Sequence, residues 1–434
     1  MNQLSTTVST RYGRLFEFLN LSIPVLMGIF IIRNPYPRTT AIEEITFYGA
    51  VLILLILLIL RKTSFSMRTP LSIPFALLVL WSCVGLFFAL NKDNSIHDVY
   101  AHLIKYLAVF YLLFNFFNTK ERLRILIWTI IVSTAIFSVW IMVYFYLILG
   151  YSLSTKLGLF MDEIASNTIG ISTLFAMLLC LYQFMREEIG YRKIILAICI
   201  CVTSTATLAT QTRGSILAMF VSLLLSFPKN KKTISVLFLF LIMAVFLMPV
   251  KNRLSPQAAI DTMSISQRIN AWYCFGEMLK DHPIAGIGFG MQTYFDENLL
   301  AEYNERVPIK YRQLEPLKAP HNLVVDIAVR LGLVGLAFFF YILFEFFRMG
   351  RHVIKNGKKD FFRHWSFCLM VALIAFLIQG LFESTMSGPP AIVFYTIMAM
   401  MAILWHLNNK QDIDGKTRSS IVRQYRGKGV RPSD

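Results

Sequence analysis

The sequence predicts an all-α, polytopic integral membrane protein with about twelve transmembrane helices and one large external loop. Of its 434 residues, 56% are hydrophobic and only 15% are charged, a balance that is unusual in water-soluble globular proteins. The apolar residues also occur in uninterrupted runs, and about 20 such residues in a helix can cross a hydrocarbon core of roughly 30 Å. A membrane protein is therefore expected.

Twelve segments of the chain are candidate spans. They lie at residues 15–32, 46–60, 71–90, 100–117, 125–149, 169–185, 194–211, 214–227, 233–250, 322–347, 365–384 and 389–407. The predicted organisation is nine helices within 1–250, a loop at 251–321, three helices within 322–407 and a basic tail at 408–434.

The basic residues fall mainly on one side of this arrangement. The formal charge is +17, and with a cytoplasmic N-terminus 27 of the 42 Lys and Arg lie in cytoplasmic segments. The loop at 251–321 carries as many acidic as basic residues, so the short connections obey the positive-inside rule. Both termini are therefore predicted to be cytoplasmic. The tail at 408–434 is expected to contact anionic membrane lipids rather than nucleic acid.

Neither a disulfide framework nor a metal site is predicted. Five of the six cysteines lie inside apolar segments, and the sixth, Cys274, has no partner in an outer loop. No His, Cys, Asp and Glu spacing typical of metal ligands occurs, so no metal or other cofactor is expected.

The loop at 251–321 contains one predicted helix. Ser264 and Gln267 form a candidate capping box, an apolar stripe follows, and the helix is expected to stop at Asp281. Arg268 then lies in its first turns, where backbone N–H groups already favour anions. The alternative is an interfacial helix whose arginine meets lipid headgroups. The later segment 285–290, AGIGFG, follows no strand and is interpreted as a tight glycine turn that packs on the membrane surface.

Arg213 separates two apolar segments. The segment after it, 214–227, would span only about 21 Å as a helix, so Arg213 is expected to lie below the outer surface. An arginine at that depth is costly unless it faces water or a counter-charge, which indicates a functional role. Snorkelling of the side chain to the interface is an equally good interpretation.

His321 stands at the outer end of the segment 322–347, where Asn322 can cap the helix. A neutral imidazole can accept a proton, although a histidine at a helix start is often only a cap or an interfacial residue. Arg213, Arg268 and His321 all map to the same side of the membrane. Together they suggest arginines that neutralise a phosphate-bearing leaving group and a base that deprotonates an incoming hydroxyl.

Three motifs resemble those of the O-antigen ligase family. The stretch HNLVVDIAVRLGLVG resembles its H-[NSQ]-x9-G-x2-[GTY] motif through His321, Asn322, Gly332 and Gly335. The stretch TQTRGSILA is similar to the family's short arginine motif, and SQRINAWYCFGEMLKDHPIAGIGFG to its R-x3-W…P-x2-G-x-G segment. This chain departs from the pattern at Thr212, where many relatives have serine, and at Arg330, where an acidic residue is common.

The resemblance implies a metal-independent, inverting glycosyltransferase of the GT-C type in the bacterial inner membrane. It implies transfer of a glycan from undecaprenyl pyrophosphate to the lipid A-core oligosaccharide at the periplasmic face. In that scheme Arg213 and Arg268 bind the donor pyrophosphate, and His321 is the general base that activates the acceptor hydroxyl. Asn322, Gly332 and Gly335 support the site.

Other functions are compatible with the same features. An O-antigen polymerase or a protein O-oligosaccharyltransferase of the same superfamily would use a similar constellation, and a transporter or flippase would also have about twelve helices. The roles of Lys105, Asp326 and Arg330 are open, although Asp326 and Arg330 are spaced for an ion pair within one helix.

Overall fold

A computed structural model describes residues 2–36, 40–158, 165–227, 262–357 and 359–427. These residues are helical and include no strand. The α-helices are α1 (Asn2–Arg33), α2 (Thr40–Ile59), α3 (Ser72–Gly85), α4 (Lys92–Asp98), α5 (Lys105–Phe116), α6 (Lys120–Met142), α7 (Ser166–Phe184), α8 (Gly190–Ala209), α9 (Arg213–Ser226), α10 (Thr262–Asp281), α11 (Glu297–Glu305), α12 (Leu323–Asn356), α13 (Asp360–Gly380) and α14 (Gly388–Gly427). Short π-helices (Val99–Ile104, Val143–Ile148) and 3-10 helices (Met291–Phe295, Ile309–Tyr311) lie between them.

The prediction of a polytopic helical protein agrees with this architecture. In the described part of the chain, nine helices are long and apolar enough to cross a membrane, and the shorter helices α3 and α9 are apolar as well. Eleven of the twelve predicted segments coincide with these helices. The remaining segment, 233–250, lies outside the described residues, so the count of twelve stays a prediction.

Several predicted boundaries were wrong. The third span was expected at 71–90 but is only α3, Ser72–Gly85. The fourth begins at Lys92, eight residues before its expected start, because Asn91 caps a polar first turn that a search for apolar runs misses. Helix α10 ends at Asp281 as expected but already begins at Thr262, so Ser264 is not its N-cap and the predicted capping box is wrong.

Helix α14 lies at the centre of the bundle. In the apolar 18-residue stretch of α14, 83% of the residues are buried inside the protein. The corresponding fractions are 22% for α1 and 28% for α2, which lie at the periphery. Helices α5, α7, α12 and α13 pack directly around α14. The described spans thus form one hydrophobic core that reaches from α1 to α14.

Helix α12 is broken at Gly332. Its φ of 68° and ψ of −177° lie in a region that is essentially accessible to glycine alone. The interrupted backbone is completed from outside the helix: Leu333 N donates to Pro283 O at 2.8 Å, and Ile287 N donates to Val329 O at 2.9 Å. Irregular backbone at membrane depth is tolerated where protein groups satisfy it in this way.

Two more hydrogen-bond donors satisfy backbone carbonyl groups at the break. Gly288 N donates to Arg330 O at 3.1 Å, and Trp81 Nε1 of α3 donates to Leu331 O at 2.8 Å. The AGIGFG segment therefore packs against the broken helix, which corrects the expectation of a turn lying on the membrane surface. Gly286, at φ +70°, allows this approach because a Cβ there would lie 2.5 Å from the Arg330 carbonyl.

The expected ion pair between Asp326 and Arg330 is present. Arg330 is buried, and its Nη2 donates to Asp326 Oδ2 at 2.8 Å while Nη1 donates to Phe289 O at 2.9 Å. The pair therefore makes burial of the arginine tolerable and also fixes the outer segment that contains Phe289. Lys105 has a comparable partner, since it forms an ion pair with Glu44 of α2.

Gly332→Ala should destabilise the protein strongly. A Cβ at this position would lie 1.9 Å from Ile284 O in a backbone conformation unsuited to alanine, and strain of this kind costs about 3 kcal/mol or more when a backbone clash is added. Thermal unfolding in detergent measures the loss. Gly276→Ala is the matched control, because a Cβ there meets nothing within 4 Å. Equal melting temperatures for the two variants would contradict the proposed constraint.

Candidate functional site

The turn that follows α13, residues 381–383, is the point where the predicted site residues meet. Helix α13 ends at Gly380. Three other helices begin beside the turn: Asn167 in the first turn of α7 contacts Glu383, Gly214 of α9 packs against Phe382, and Asn322 at the start of α12 bonds to Leu381. Three positive helix ends therefore converge on one short segment.

His321 lies directly on this turn. Its Nδ1 is 2.9 Å from Glu383 Oε1, and the other carboxylate oxygen of Glu383 accepts a hydrogen bond from Asn167 Nδ2. When a neutral imidazole meets an ionised carboxylate in this geometry, Nδ1 donates the proton and Nε2 is left with its lone pair. The side chains of His321 and Glu383 are 30% and 24% exposed, which leaves the pair within reach of a substrate.

The backbone at His321 is also unusual, with a φ of 46°. Asn322 follows as the N-cap of α12, and its Oδ1 accepts from Val324 N at 2.9 Å and Val325 N at 3.1 Å, as expected from the sequence. Its Nδ2 donates to Leu381 O at 3.2 Å. Asn322 therefore fixes both the start of α12 and its position against the turn, and this places the imidazole.

Arg268 approaches the same turn from the outer helix α10. Its Nη1 lies 3.5 Å from Phe382 O, a long and weak hydrogen bond. The partly buried guanidinium thus lies one residue along the turn from the carboxylate that binds His321. Two carbonyls of the turn, those of Leu381 and Phe382, therefore accept hydrogen bonds from the side chains of Asn322 and Arg268.

Arg213 is the first residue of α9 and is exposed at the protein surface. The chain turns sharply before it, with Gln211 at φ 49°. The next residue, Gly214, packs so closely on Phe382 that a Cβ would lie 3.1 Å from the ring. The start of α9, with Arg213 as its first residue, therefore lies beside the turn.

His321 and Arg268 therefore contact residues 381–383, and Arg213 directly precedes the glycine that packs on Phe382. Gly332 and Gly335 lie elsewhere, at the break in α12, where a Cβ on Gly335 would meet Leu331. Sequence reasoning missed Glu383 and Asn167. The one sequence signal for Glu383 was a single carboxylate near the outer end of the apolar segment 365–384. It was not recognised as functional because the residue was treated only as the end of that span.

Outside the spans, the outer segment has its own polar contacts. Arg306 donates to Asp281 at 2.5 Å, and this hydrogen bond holds the pKa of the Asp281 carboxyl below its usual range. Burial raises the pKa of Tyr294, whose hydroxyl donates to Asp326 O. The first contact joins the end of α10 to the end of α11, and the second joins the outer segment to α12. Within the described ranges, no three His, Cys, Asp or Glu side chains are grouped so as to hold a metal ion.

Fold and site together define a class: a polytopic helical membrane protein with two arginines and a carboxylate-bound histidine at one end of its bundle. Residues 195–340 match the family model described as O-antigen ligase. The resemblance expected from the motifs is thus confirmed over that segment, which contains Arg213, Arg268 and His321. Glu383 lies beyond it.

Two curated proteins are similar to parts of the chain, and both are described as "Putative polysaccharide ligase". The Rickettsia typhi protein is 26% identical over 121 residues, which is 28% of either chain. The Rickettsia prowazekii protein is 29% identical over 111 residues, which is 25% of either chain. The alignments therefore span about a quarter of the length of these relatives.

Glu383→Ala should release the His321 ring. Without the carboxylate, Nδ1 loses its acceptor and the imidazole is expected to populate both neutral tautomers rather than one. Nitrogen NMR of histidine-labelled protein measures the tautomer, with the His321 signal identified by its loss in His321→Ala. Glu315→Ala removes an exposed carboxylate of the outer loop and serves as the control. An unchanged His321 signal in Glu383→Ala would show that the contact does not set the tautomer.

Proposed function

We propose that this protein is an O-antigen ligase that transfers a glycan from undecaprenyl pyrophosphate to the lipid A-core oligosaccharide. The observation that carries the proposal is the contact between His321 and Glu383, with Arg268 bound to the residue next to Glu383. A base and a neighbouring cation are the two groups that glycan transfer from a diphosphate donor requires. The match of residues 195–340 to the O-antigen ligase model supports the same reaction.

His321 is the proposed general base. Its Nε2 takes the proton of an acceptor hydroxyl as the hydroxyl oxygen forms a bond to the anomeric carbon of the donor glycan. The bond between that carbon and the pyrophosphate oxygen breaks, and the electron pair leaves with the pyrophosphate. Attack opposite the leaving group inverts the anomeric configuration. Glu383 keeps the proton on Nδ1 and stabilises the imidazolium that forms.

Arg213 and Arg268 are the proposed ligands of the pyrophosphate. The charge of the leaving group grows as the glycosidic bond breaks, so fixed cations beside it lower the barrier. The starts of α7, α9 and α12 lie beside the same turn and add the positive ends of three helix dipoles. This proposal requires neither a metal ion nor another cofactor, as in a metal-independent GT-C enzyme.

The site is proposed to face the periplasm, with both termini in the cytoplasm. Support comes from the opposite end of the bundle, where α13 begins and where Arg186 pairs with Asp360 and Lys120 lies over the Phe361 ring. Such an accumulation of basic residues is typical of the cytoplasmic side. A protein of this orientation resides in the bacterial inner membrane.

The acceptor is tested with purified full-length protein and an undecaprenyl-pyrophosphate glycan. We expect lipid A-core to gain sugar, in the presence or absence of EDTA, and His321→Ala to reduce transfer by about a thousandfold, because a general base of this kind contributes 10²–10⁴-fold. His282→Ala removes another outer-segment histidine and should leave transfer intact.

The acceptor that gains sugar also distinguishes the alternative functions. Sugar on a peptide instead of lipid A-core would indicate a protein O-oligosaccharyltransferase, and extension of the donor glycan itself would indicate a polymerase. Flux across vesicles without transfer would indicate a transporter.

Arg213→Lys should lose transfer almost as completely as Arg213→Ala. Lysine keeps the charge but loses the two-pronged geometry with which arginine binds phosphate oxygens, and loss of charged hydrogen bonds should reduce kcat/KM at least about tenfold. Arg351→Lys is the matched control, because that exposed arginine lies near the other end of α12, away from residues 381–383. Wild-type activity in Arg213→Lys would identify Arg213 as an interfacial anchor.

A further inference from the structure

A groove on the surface of the bundle is separate from the site described above. It runs along α6, with α1 and α8 as its walls, and is an open groove of about 780 Å³, a volume within the range of about 300–1,000 Å³ typical of ligand pockets. Ile125, Trp128, Val132 and Ile136 of α6 form its floor. These residues recur every three or four positions, so they lie on one face of the helix.

The mouth of the groove is cationic and lies at the end of the bundle opposite residues 381–383. Arg124 is 5.3 Å from the ring of Phe361, the second residue of α13, and therefore lies near the beginning of that helix. Arg192 is in the first turn of α8, and its Nε donates to Tyr191 Oη at 3.3 Å. Among the side chains that the structure describes, neither guanidinium has an ion-pair partner.

The length of the groove fits one leaflet. From Arg124 to Ile136 the helix rises about 18 Å, slightly more than half of a hydrocarbon core of roughly 30 Å. A phosphate at the mouth would thus place an acyl chain along the apolar floor and end it near the bilayer midplane. The lining has positive charge at one end, which matches a phosphate headgroup, and mainly apolar side chains elsewhere, which match an acyl chain.

We propose that the groove is a binding site for one anionic phospholipid of the leaflet opposite the candidate site. The phosphate lies between Arg124 and Arg192 with Tyr191 beside it, and one acyl chain lies along α6. Basic pockets between transmembrane helices recognise anionic headgroups in this way. The lipid fills the space between α1 and α8, so it contributes to the packing of these peripheral helices. This assignment does not depend on the reaction proposed for the protein.

Native mass spectrometry of the full-length protein, released from nanodiscs containing phosphatidylglycerol and phosphatidylcholine, tests the proposal. We expect one retained phosphatidylglycerol in the wild type and about 30-fold weaker retention in Arg124→Gln/Arg192→Gln, since each basic residue near an anionic surface contributes about 1 kcal/mol. Lys193→Gln/Arg351→Gln removes two exposed charges at the same end of the bundle but outside the groove, and should retain the lipid.

Val132→Trp provides a second test that keeps both charges. Val132 is 41% exposed on the groove floor, so a larger side chain there should fill the path of the acyl chain and reduce retention without disturbing the core. Helical circular dichroism confirms that each variant is folded. Equal retention by the groove variants and the control pair would overturn the proposal. Phosphatidylcholine or a polyprenyl phosphate retained in place of phosphatidylglycerol would overturn it as well.

Discussion

A broken membrane helix must find hydrogen-bond partners for its backbone, and this constraint organises the outer half of the molecule. At Gly332 the partners come from residues 283–288 and from Trp81. The outer segment is therefore attached to α12 mainly through main-chain hydrogen bonds. Helix α10 ends at Asp281, just before this attachment, so the same backbone contacts set the position of Arg268.

Much of this arrangement could be predicted from the sequence because it is local or topological. Counting spans and basic residues predicts that Arg213, Arg268 and His321 lie on one side of the bilayer. In the structure His321 and Arg268 contact one turn, and Arg213 precedes the glycine that packs on it. The spacing of Asp326 and Arg330 predicts their ion pair because residues four apart share a helix face. Gly332 belongs to a recognisable motif, but the motif does not predict which segment of the chain packs against this glycine.

The remaining features could not be predicted because they depend on contacts between distant parts of the chain. Glu383 lies 62 residues after His321, and neither periodicity nor spacing connects the two. The pairing of residues 283–288 with α12 is likewise a tertiary contact, and a glycine-rich sequence there is compatible with many partners. The early start of the span at Lys92 was missed because a capped polar turn precedes its apolar residues.

Residues 381–383 have a consequence for how the protein can be controlled. His321 contacts Glu383, Arg268 contacts Phe382 and Asn322 contacts Leu381, so three consecutive residues serve an imidazole, a guanidinium and a helix cap. The imidazole, the guanidinium and the start of α12 are thus held by one short piece of backbone. A displacement of that backbone would change all three positions at once and would separate none of them from the others.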